Sequence, residues 1–431
     1  MIQPSSDVAA RKAALALIDG VLRKHRSVDD AFDAATTRLA PRDRAFVRLL
    51  VATTLRRFGQ IDAVLKEFVT RKPADPVMDI LRLGAAQLLF LGTPPHAAVA
   101  TSVALAKQGY APASGFVNAV LRRVAEKGAA LVAAQDAARL NTPASLWTSW
   151  ENAYGAAPAR EIAAAHLQEP PLDLSLKDEK AAAQWAADLK AEVLPTGALR
   201  LTQGGRVQDL KGFTEGAWWV QDAAAALPAK ILMYALGSGV HTVIDLCAAP
   251  GGKTAQLASA GHRVTAVDVA PARLALLKEN LARLKLSVEV IEADALSWRP
   301  STPADALLLD APCSATGTLR RHPDLPFLKT TLNLDAFAAA QAKLLTAAAE
   351  MVRPGGLVVY SVCSLQAEER AAVVDAVAAA AKLDRVPIPA AAVGGVAAFI
   401  DARGALATLP AHWRESGGLD GFYGCLLRKS L

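Results

Sequence analysis

Apolar residues in the first third of the chain recur at the spacing of buried helices. Val77, Ile80, Leu81, Gly84 and Leu88 follow the i, i+3, i+4, i+7, i+11 series of one buried stripe. We therefore predict an all-α bundle that ends near residue 140. Segments rich in helix formers lie at 8–24, 42–57, 97–107 and 114–126, and prolines, expected where helices end, are Pro41, Pro73, Pro76, Pro94, Pro95 and Pro112.

The next region combines short strand and helix patterns. PLDLSLK and ALRLTQG resemble short strands, and DEKAAAQWAADLKAE between them favours a helix. WWVQDAAAAL, residues 218–227, then leads into a further helix. We predict a helical domain over 1–140, followed by a small α/β subdomain and connector over 145–235.

From about residue 240 onwards, apolar strands alternate with helical segments. Such alternation is typical of a mainly parallel sheet covered by helices on both faces, so we predict a Rossmann-like α/β domain over 236–431. The last apolar segment, FYGCLLRK, is expected to add an antiparallel strand. The predicted strands are 242–246, 263–268, 287–291, 305–310 and 356–362, and the predicted helices are 253–260, 271–284, 335–352 and 366–382.

The loop after the first of these strands has the composition of a ligand-binding turn. In VIDLCAAPGGKTAQLA, residues 243–258, a Pro-Gly-Gly turn joins the strand to a helix. Glycine lets the backbone approach a ligand closely, and a helix N-terminus presents free N–H groups to it. Cys247 stands where a phosphate-binding P-loop needs its first glycine, so the loop is not a P-loop.

Two aspartates follow the next two strands. Asp268 ends the second strand, 23 residues beyond Asp245, and a carboxylate at this separation typically binds the ribose hydroxyls of an adenosine cofactor. The alternative for Asp268 is a helix N-cap before Pro271. Asp294 follows the third strand and is a candidate for the adenine amino group, although Asp after a strand is also common turn chemistry.

Two cysteines follow the fourth and fifth strands. Cys313 lies just beyond the strand that ends at Asp310, and Cys363 lies just beyond 356–362. Ligands of a doubly wound sheet bind at the carboxyl ends of its strands, and these two strands are expected to be neighbours. Both thiols should then open into one crevice beside Asp310, whereas core cysteines would stand in mid-strand. Chemistry alone allows either thiol to be a nucleophile.

Charge is distributed unevenly along the chain. Residues 1–130 hold 19 Lys and Arg against 11 Asp and Glu, whereas the remainder holds 28 against 30. A basic front domain favours a polyanionic partner, most simply nucleic acid, although a generic soluble surface explains the charge equally well. Arg44 and Arg48 are four residues apart on a predicted helix and are candidates for phosphate contacts.

Composition excludes several other classes of protein. The start, MIQPSSDVAARKAAL, carries charges where a signal peptide needs an apolar run. The charge-free stretch between Arg82 and Lys107 is interrupted by Pro94 and Pro95, so two helices and a turn explain it better than a membrane span. The four cysteines form no CxxC pair, so the sequence gives no indication of a metal site. We expect a soluble, cytoplasmic, monomeric protein without metal or membrane partners.

These motifs together resemble those of the RNA 5-methylcytosine methyltransferases. The resemblance covers essentially the whole chain, because the helical front domain also resembles the NusB antitermination-factor domain. It implies a class I methyltransferase fold, S-adenosyl-L-methionine as cofactor, and RNA, specifically small-subunit ribosomal RNA, as substrate. The residues that carry it are Cys247-Ala-Ala-Pro-Gly-Gly-Lys253, Asp310-Ala-Pro-Cys313-Ser-Ala-Thr-Gly317, Arg320-Arg-His-Pro-Asp324 and Cys363-Ser.

The resemblance also implies a role for each motif residue. It implies Cys363 as the nucleophile and Cys313 as its helper. Val362 replaces the family's usual Thr, and Ala224 or Ala225 replaces a frequent serine, changes that concern rate more than reaction type. The implied cofactor-binding residues are Cys247, Ala248, Ala249, Pro250, Gly251, Gly252, Lys253, Asp268, Asp294 and Asp310.

Two other functions are compatible with part of the pattern. A methyltransferase for a small molecule or a protein would retain the cofactor loop, but would give no reason for two strand-end cysteines and a basic helical domain. A non-catalytic RNA-binding adaptor would give no reason for intact cofactor and cysteine motifs. We therefore expect an S-adenosylmethionine-dependent RNA cytosine-5 methyltransferase.

Overall fold

The computed structural model of the chain describes residues 6–201, 205–328 and 333–431. The chain forms two compact units. One comprises Met1–Gln168 and Leu319–Leu332, and the other comprises Glu169–Thr318 and Asn333–Leu431.

The first unit is helical and has its own apolar core. Leu50, Ile61, Ile80 and Leu121 are among its fully buried residues, which confirms the all-α front domain. Its α-helices, numbered along the whole chain, are α1 (Ser6–Lys24), α2 (Val28–Thr36), α3 (Pro41–Arg56), α4 (Phe58–Lys66), α5 (Asp75–Leu89), α6 (Pro95–Gly109), α7 (Ser114–Ala133), α8 (Ala137–Leu140), α9 (Ala144–Tyr154), α10 (Ala156–His166) and α15 (Leu325–Leu328).

Three of the prolines expected to end helices instead begin them. Pro41, Pro76 and Pro95 stand in the first turns of α3, α5 and α6. Proline is tolerated there because the first helical N–H groups have no intrahelical acceptor, and its fixed φ suits the helix. The charge-free stretch after Arg82 folds as the end of α5, a turn and α6. Among the described helices none is long and apolar enough to cross a membrane.

The helical series continues beyond the division predicted at residues 140–145. Helices α9 and α10 belong to the first unit, where Trp150 is fully buried and its ring packs 5.2 Å from that of His166. Burial lowers the pKa of His166 to about 3, with Arg320 as a second cause. The strand and helix pattern predicted for the small subdomain begins only at Leu172.

The segment after the Cys313 motif belongs to the helical unit. Asp324 is buried and accepts the backbone N–H of Val28 at 2.9 Å. Phe327, in α15, packs on Phe58 with ring centroids 4.9 Å apart. The RRHPD segment, residues 320–324, is therefore part of the helical unit, although it follows the Cys313 motif closely in the chain.

The second unit starts with a small antiparallel sheet, as the predicted α/β subdomain requires. Its strand order is β2-β3-β1-β4, and a buried ion pair joins Asp173 and Arg200 at 2.7 Å across β1 and β3. The elements are β1 (Leu172–Leu176), α11 (Ala182–Leu189), β2 (Ala191–Val193), β3 (Leu199–Leu201) and β4 (Trp218–Val220).

The larger sheet is the predicted doubly wound one, with the order β10-β12-β9-β8-β5-β6-β7 and β11 paired to β12. Strands β5, β6, β7, β8 and β9 are parallel, and β12 is antiparallel to β9 as expected. The elements are α12 (Leu227–Leu236), β5 (Thr242–Leu246), α13 (Gly252–Ser259), β6 (Arg263–Asp268), α14 (Pro271–Leu284), β7 (Glu289–Glu292), β8 (Ala304–Asp310), α16 (Leu334–Met351), β9 (Val352–Val362), α17 (Ala371–Val377), β10 (Leu383–Val386), β11 (Leu406–Ala407) and β12 (Tyr423–Lys429).

Two features of this sheet position the site. The strand order reverses at β5, whose neighbours are β6 on one side and β8 on the other, so the ligand crevice should open there. The helix predicted over 366–382 is shorter than expected. Only Ala371–Val377 is α-helical, because the chain first makes a turn that buries Glu369.

Candidate active site

The cofactor loop turns sharply between β5 and α13. Cys247 has a φ of 59° and Gly251 a φ of 103°, and a Cβ on Gly251 would lie 3.1 Å from Leu277 Cγ. Only glycine adopts the φ of residue 251 without strain. Helix α13 then begins at Gly252, so its first N–H groups face the loop.

A buried carboxylate lies beneath this loop. Asp245 is fully buried, and its Oδ2 accepts a hydrogen bond from Thr254 Oγ1 at 2.6 Å. Its Oδ1 has no hydrogen-bond partner within the described residues. Burial raises the pKa of Asp245 to about 7, against the opposing effects of Thr254 and Lys253.

The two predicted adenosine-binding aspartates differ in exposure. Asp268 is buried, and its two carboxylate oxygens accept the N–H groups of Ala249 at 3.1 Å and Ala270 at 3.0 Å. Each oxygen retains a lone pair, so the carboxylate can still accept two ribose hydroxyls. Asp294 is exposed and accepts the N–H of Leu296 at 2.9 Å.

An ion pair connects β8 to the cofactor loop. Lys253 Nζ lies 2.6 Å from Asp310 Oδ2. The two residues follow β5 and end β8, respectively, which are parallel neighbours in the sheet. Ser361, in β9, donates to Asp310 Oδ1 at 2.9 Å. Asp310, at the end of β8, is therefore oriented by groups from both neighbouring strands, Ser361 on β9 and Lys253 just after β5.

The two strand-end cysteines meet. Strands β8 and β9 are parallel neighbours, and Cys313 Sγ lies 3.5 Å from Cys363 Sγ. Both thiols are half-buried, whereas Cys425 is buried in mid-strand like an ordinary core cysteine. The two thiols therefore lie next to each other at the carboxyl ends of β8 and β9.

The surroundings of Cys363 and Cys247 disfavour their thiolate forms. The contact with Cys313, followed by burial, raises the pKa of Cys363 well above its ordinary value, and Lys253 opposes the shift. Burial raises the pKa of Cys247 to about 12, with Asp268 as a second cause. Because only a thiolate is a good nucleophile, Cys247 is unsuited to attack and Cys363 needs activation.

Several polar residues next to the cysteines are not predicted from the sequence motifs. Ser314 and Ser364 directly follow the two cysteines, and both donate hydrogen bonds to the buried carboxylate of Glu369. The repeated Cys-Ser pair was a visible signal for them. Glu369 carried none, because it stands in a segment with a helical composition.

The cofactor loop fits an adenosine cofactor with a polar tail. The unpartnered Oδ1 of Asp245 offers an acceptor, and the φ of Gly251 gives the backbone close approach. Val269 and Leu296 expose apolar side chains directly after Asp268 and two residues after Asp294, at the edge where an adenine ring would lie. The donor set contains nothing that conflicts with S-adenosylmethionine.

The chain is similar to known proteins of one family. The family model described as 16S rRNA methyltransferase RsmB/F matches residues 236–428, and the NusB family model matches residues 8–126. Ribosomal RNA small subunit methyltransferase B of Klebsiella pneumoniae (strain 342) is 32% identical over 378 residues, which span 83% of this chain and 87% of that protein. The protein of the same name from Pseudomonas putida is 34% identical over 391 residues, with 85% and 88% covered.

Solved structures share the fold. The crystal structure of PH0851 matches with a TM-score of 0.74 at 21% identity and covers 100% of both chains. The structure of NSun6 from Pyrococcus horikoshii with SFG matches with a TM-score of 0.55 at 20% identity, covering 67% of this chain and 98% of that one.

The fold and the site define a class I methyltransferase preceded by a NusB-type helical domain. The chain belongs to the 16S rRNA methyltransferase RsmB/F family. It is thus an S-adenosylmethionine-dependent RNA cytosine-5 methyltransferase, as predicted.

Proposed function

We propose that this chain methylates carbon 5 of a cytosine in 16S ribosomal RNA through a covalent adduct between Cys363 and the base. The observation that carries the proposal is the 3.5 Å separation of Cys363 and Cys313 Sγ atoms at the ends of neighbouring strands. Cysteines that only pack in a core are expected in mid-strand, not at the ends of two neighbouring strands. The family's curated relatives are named as small-subunit ribosomal RNA methyltransferases, which supports this substrate.

The cofactor would occupy the loop from Cys247 to Lys253. When bound, S-adenosylmethionine supplies an electrophilic methyl group. Asp268 would accept the ribose hydroxyls, Asp294 the adenine amino group, and Asp310 would face the reacting centre. The intervening residues Ala248, Ala249, Pro250, Gly251 and Gly252 would line the loop with backbone groups.

Carbon 5 of cytosine is a poor nucleophile, so the protein must activate it. Addition of the Cys363 thiolate to carbon 6 breaks the ring conjugation and makes carbon 5 enamine-like, able to take the methyl group. Asp310 would accept a hydrogen bond from the exocyclic amine, and it would also hydrogen-bond the ring nitrogen when one of the two carries a proton. Cys313, in its thiolate form, would then take up the carbon-5 proton, and the electron pair left behind would expel Cys363 as a thiolate.

Entry of the base also explains how Cys363 becomes reactive. A 3.5 Å gap cannot hold a pyrimidine ring, so the two sulfurs must separate when a flipped-out cytosine enters. Separation removes the thiol contact that contributes most to the raised pKa of Cys363, so the thiolate becomes easier to form, although burial and Asp310 still raise the pKa and only Lys253 opposes them.

Denaturing gels test these roles. Wild type and single variants are incubated with unmodified 16S ribosomal RNA and S-adenosylmethionine. We expect Cys363→Ala to abolish methylation and to form no adduct, and Cys313→Ala to accumulate a covalent protein–RNA band. Cys425→Ala, a core cysteine, is the matched control and should behave as wild type. An adduct from Cys363→Ala and none from Cys313→Ala would reverse the assignment.

We further propose that the protein works as a cytoplasmic monomer with RNA as its partner. The cofactor-loop and cysteine residues lie in one compact unit, so no second copy is needed to complete the set. Light scattering should give a mass near 45.1 kDa for the active protein. Activity confined to a larger species would contradict this.

A further inference from the structure

The two cysteine loops converge on one buried carboxylate. Glu369 is fully buried in the turn that follows β9. Its Oε1 accepts the N–H of Ser314 at 2.8 Å, and its Oε2 accepts the hydroxyls of both Ser314 and Ser364. Because each serine directly follows a cysteine, one side chain holds the residues next to Cys313 and Cys363.

A second layer of hydrogen bonds fixes this carboxylate. Gln341, on α16, donates from Nε2 to Glu369 Oε1 at 3.0 Å and to the carbonyl of Pro312 at 2.9 Å. Tyr360 Oη lies 3.0 Å from Gln341 Oε1 and 2.7 Å from the Glu369 carbonyl oxygen. The backbone on both sides of Cys313 is therefore tied to the same network.

The backbones of the two loops are also joined directly. The N–H of Gly317 donates to the carbonyl of Cys363 at 3.0 Å. The N–H of Leu365 donates to Thr316 Oγ1, also at 3.0 Å. With these bonds, the loops after β8 and β9 form one rigid frame around the pair of sulfurs.

The partners of Glu369 point to a geometric role. In the described part of the chain its carboxylate receives hydrogen bonds from amides and hydroxyls, and no Lys or Arg forms an ion pair with it. A buried carboxyl group is costly to maintain, even when its hydrogen bonds are made. A packed apolar side chain would fill the same volume at lower cost, but it could not hold two serines at once.

We infer that Glu369 is a positioning residue that sets the placement of the Cys363 and Cys313 sulfurs, and through it the balance between adduct formation and release. The inference rests on the proposed function of the two cysteines. Adduct formation needs the attacking sulfur in line with carbon 6, and a misplacement of about 1 Å can cost about 100-fold in rate. Glu369 has no expected contact with RNA or cofactor, so substrate binding should not depend on it.

Variants of different reach test the inference. Glu369→Asp is one methylene shorter and cannot reach both serines, so we expect kcat to fall about 100-fold. Glu369→Gln keeps the length, and both serine hydroxyls can accept from its amide, so kcat should recover to within about 10-fold of wild type. In both variants the KM for RNA and the Kd for S-adenosylmethionine should stay within about twofold. Glu368→Gln, an exposed neighbour, is the matched control.

A second measurement follows the adduct itself. Single-turnover gels in the Cys313→Ala background, where the adduct accumulates, should show slower adduct formation when Glu369→Asp is added, at a saturating concentration of 16S ribosomal RNA. Ser364→Ala, which removes one of the bonds, gives a milder form of the same defect if the aspartate variant does not fold. A Cys313→Ala protein that never forms an adduct would refute the proposed function. An adduct whose rate of formation is unchanged by Glu369→Asp or Ser364→Ala, together with an unchanged kcat of these variants when Cys313 is present, would refute only the role of Glu369, even if their melting temperatures fell.

Discussion

Two fully buried carboxylates lie near the carboxyl ends of the parallel strands, and their partners differ. Asp245, under the cofactor loop, accepts one hydrogen bond from Thr254 and has an unpartnered oxygen among the described residues. Glu369, behind the cysteine loops, accepts hydrogen bonds at both oxygens from two serines and Gln341. The first leaves hydrogen-bonding capacity unused, and the second does not.

The difference separates a binding region from a supporting one. A buried acceptor without a donor is destabilising, and it persists where a ligand completes it. Accordingly, burial raises the pKa of Asp245 to about 7, so the apo protein partly neutralises it. Glu369 is already satisfied, so its part of the site is built before any ligand binds.

The largest expected contrast is in stability. Glu369→Ala should lower the free energy of unfolding by about 3–5 kcal/mol, because it leaves the buried N–H of Ser314, the hydroxyls of Ser314 and Ser364 and one of the two N–H groups of the Gln341 amide without this acceptor. Asp245→Ala removes one hydrogen bond and should cost about 1–2 kcal/mol. Urea titrations of both variants measure this. Equal losses would mean that the two carboxylates do not differ as described.

The charge that connects the two regions should matter next. Lys253→Met removes the partner of Asp310 and the cation that lowers the pKa of Cys363. We expect kcat/KM to fall about 100-fold, which corresponds to about 2.7 kcal/mol of activation free energy. The rise of the rate with increasing pH should also move to higher pH. The control is Lys278→Met, an exposed lysine on α14. An unshifted profile would remove Lys253 from thiol activation.

Asp245 should also give the apo protein a pH-dependent stability. Its pKa is raised in the folded state, so its contribution is fully present below its unfolded pKa and is lost as the pH rises through about 7. Asp245→Asn removes this dependence. Between pH 5 and pH 8, this carboxyl group should therefore cost the wild type about 2–3 kcal/mol of unfolding free energy. The variant should not show this loss. Urea titrations at the two pH values test this, and parallel curves would contradict it.

The smallest effect is expected away from both regions. Cys425 is buried in mid-strand on β12, so Cys425→Ala should lower the free energy of unfolding by about 1–2 kcal/mol through lost packing. Methylation by the folded fraction should be unchanged, as gel assays can show. Lost activity in a stable Cys425→Ala protein would mean that the chemistry extends beyond the strand-end thiols.

Much of the second unit could be predicted from local pattern. The bounds of β5 and β6 coincide with the predicted strands, because both are short apolar runs closed by turn residues. The segment 366–382 has the composition of a helix, but only Ala371–Val377 is α-helical. Its first residues form a turn that carries Glu369 into the core, and such a tertiary demand overrides helix propensity.

Sequence alone determined which residues gather at the active edge. Parallel strands all end at one edge, so an aspartate or cysteine placed after each strand must face its counterparts there, whatever the remainder of the chain does. Only the tertiary structure decided the 3.5 Å between two sulfurs, the convergence of two serines on Glu369, and the place of RRHPD in the helical unit. The physical reason is that Ser314 and Glu369 are 55 residues apart, and a hydrogen bond over that separation leaves no periodic trace in the chain.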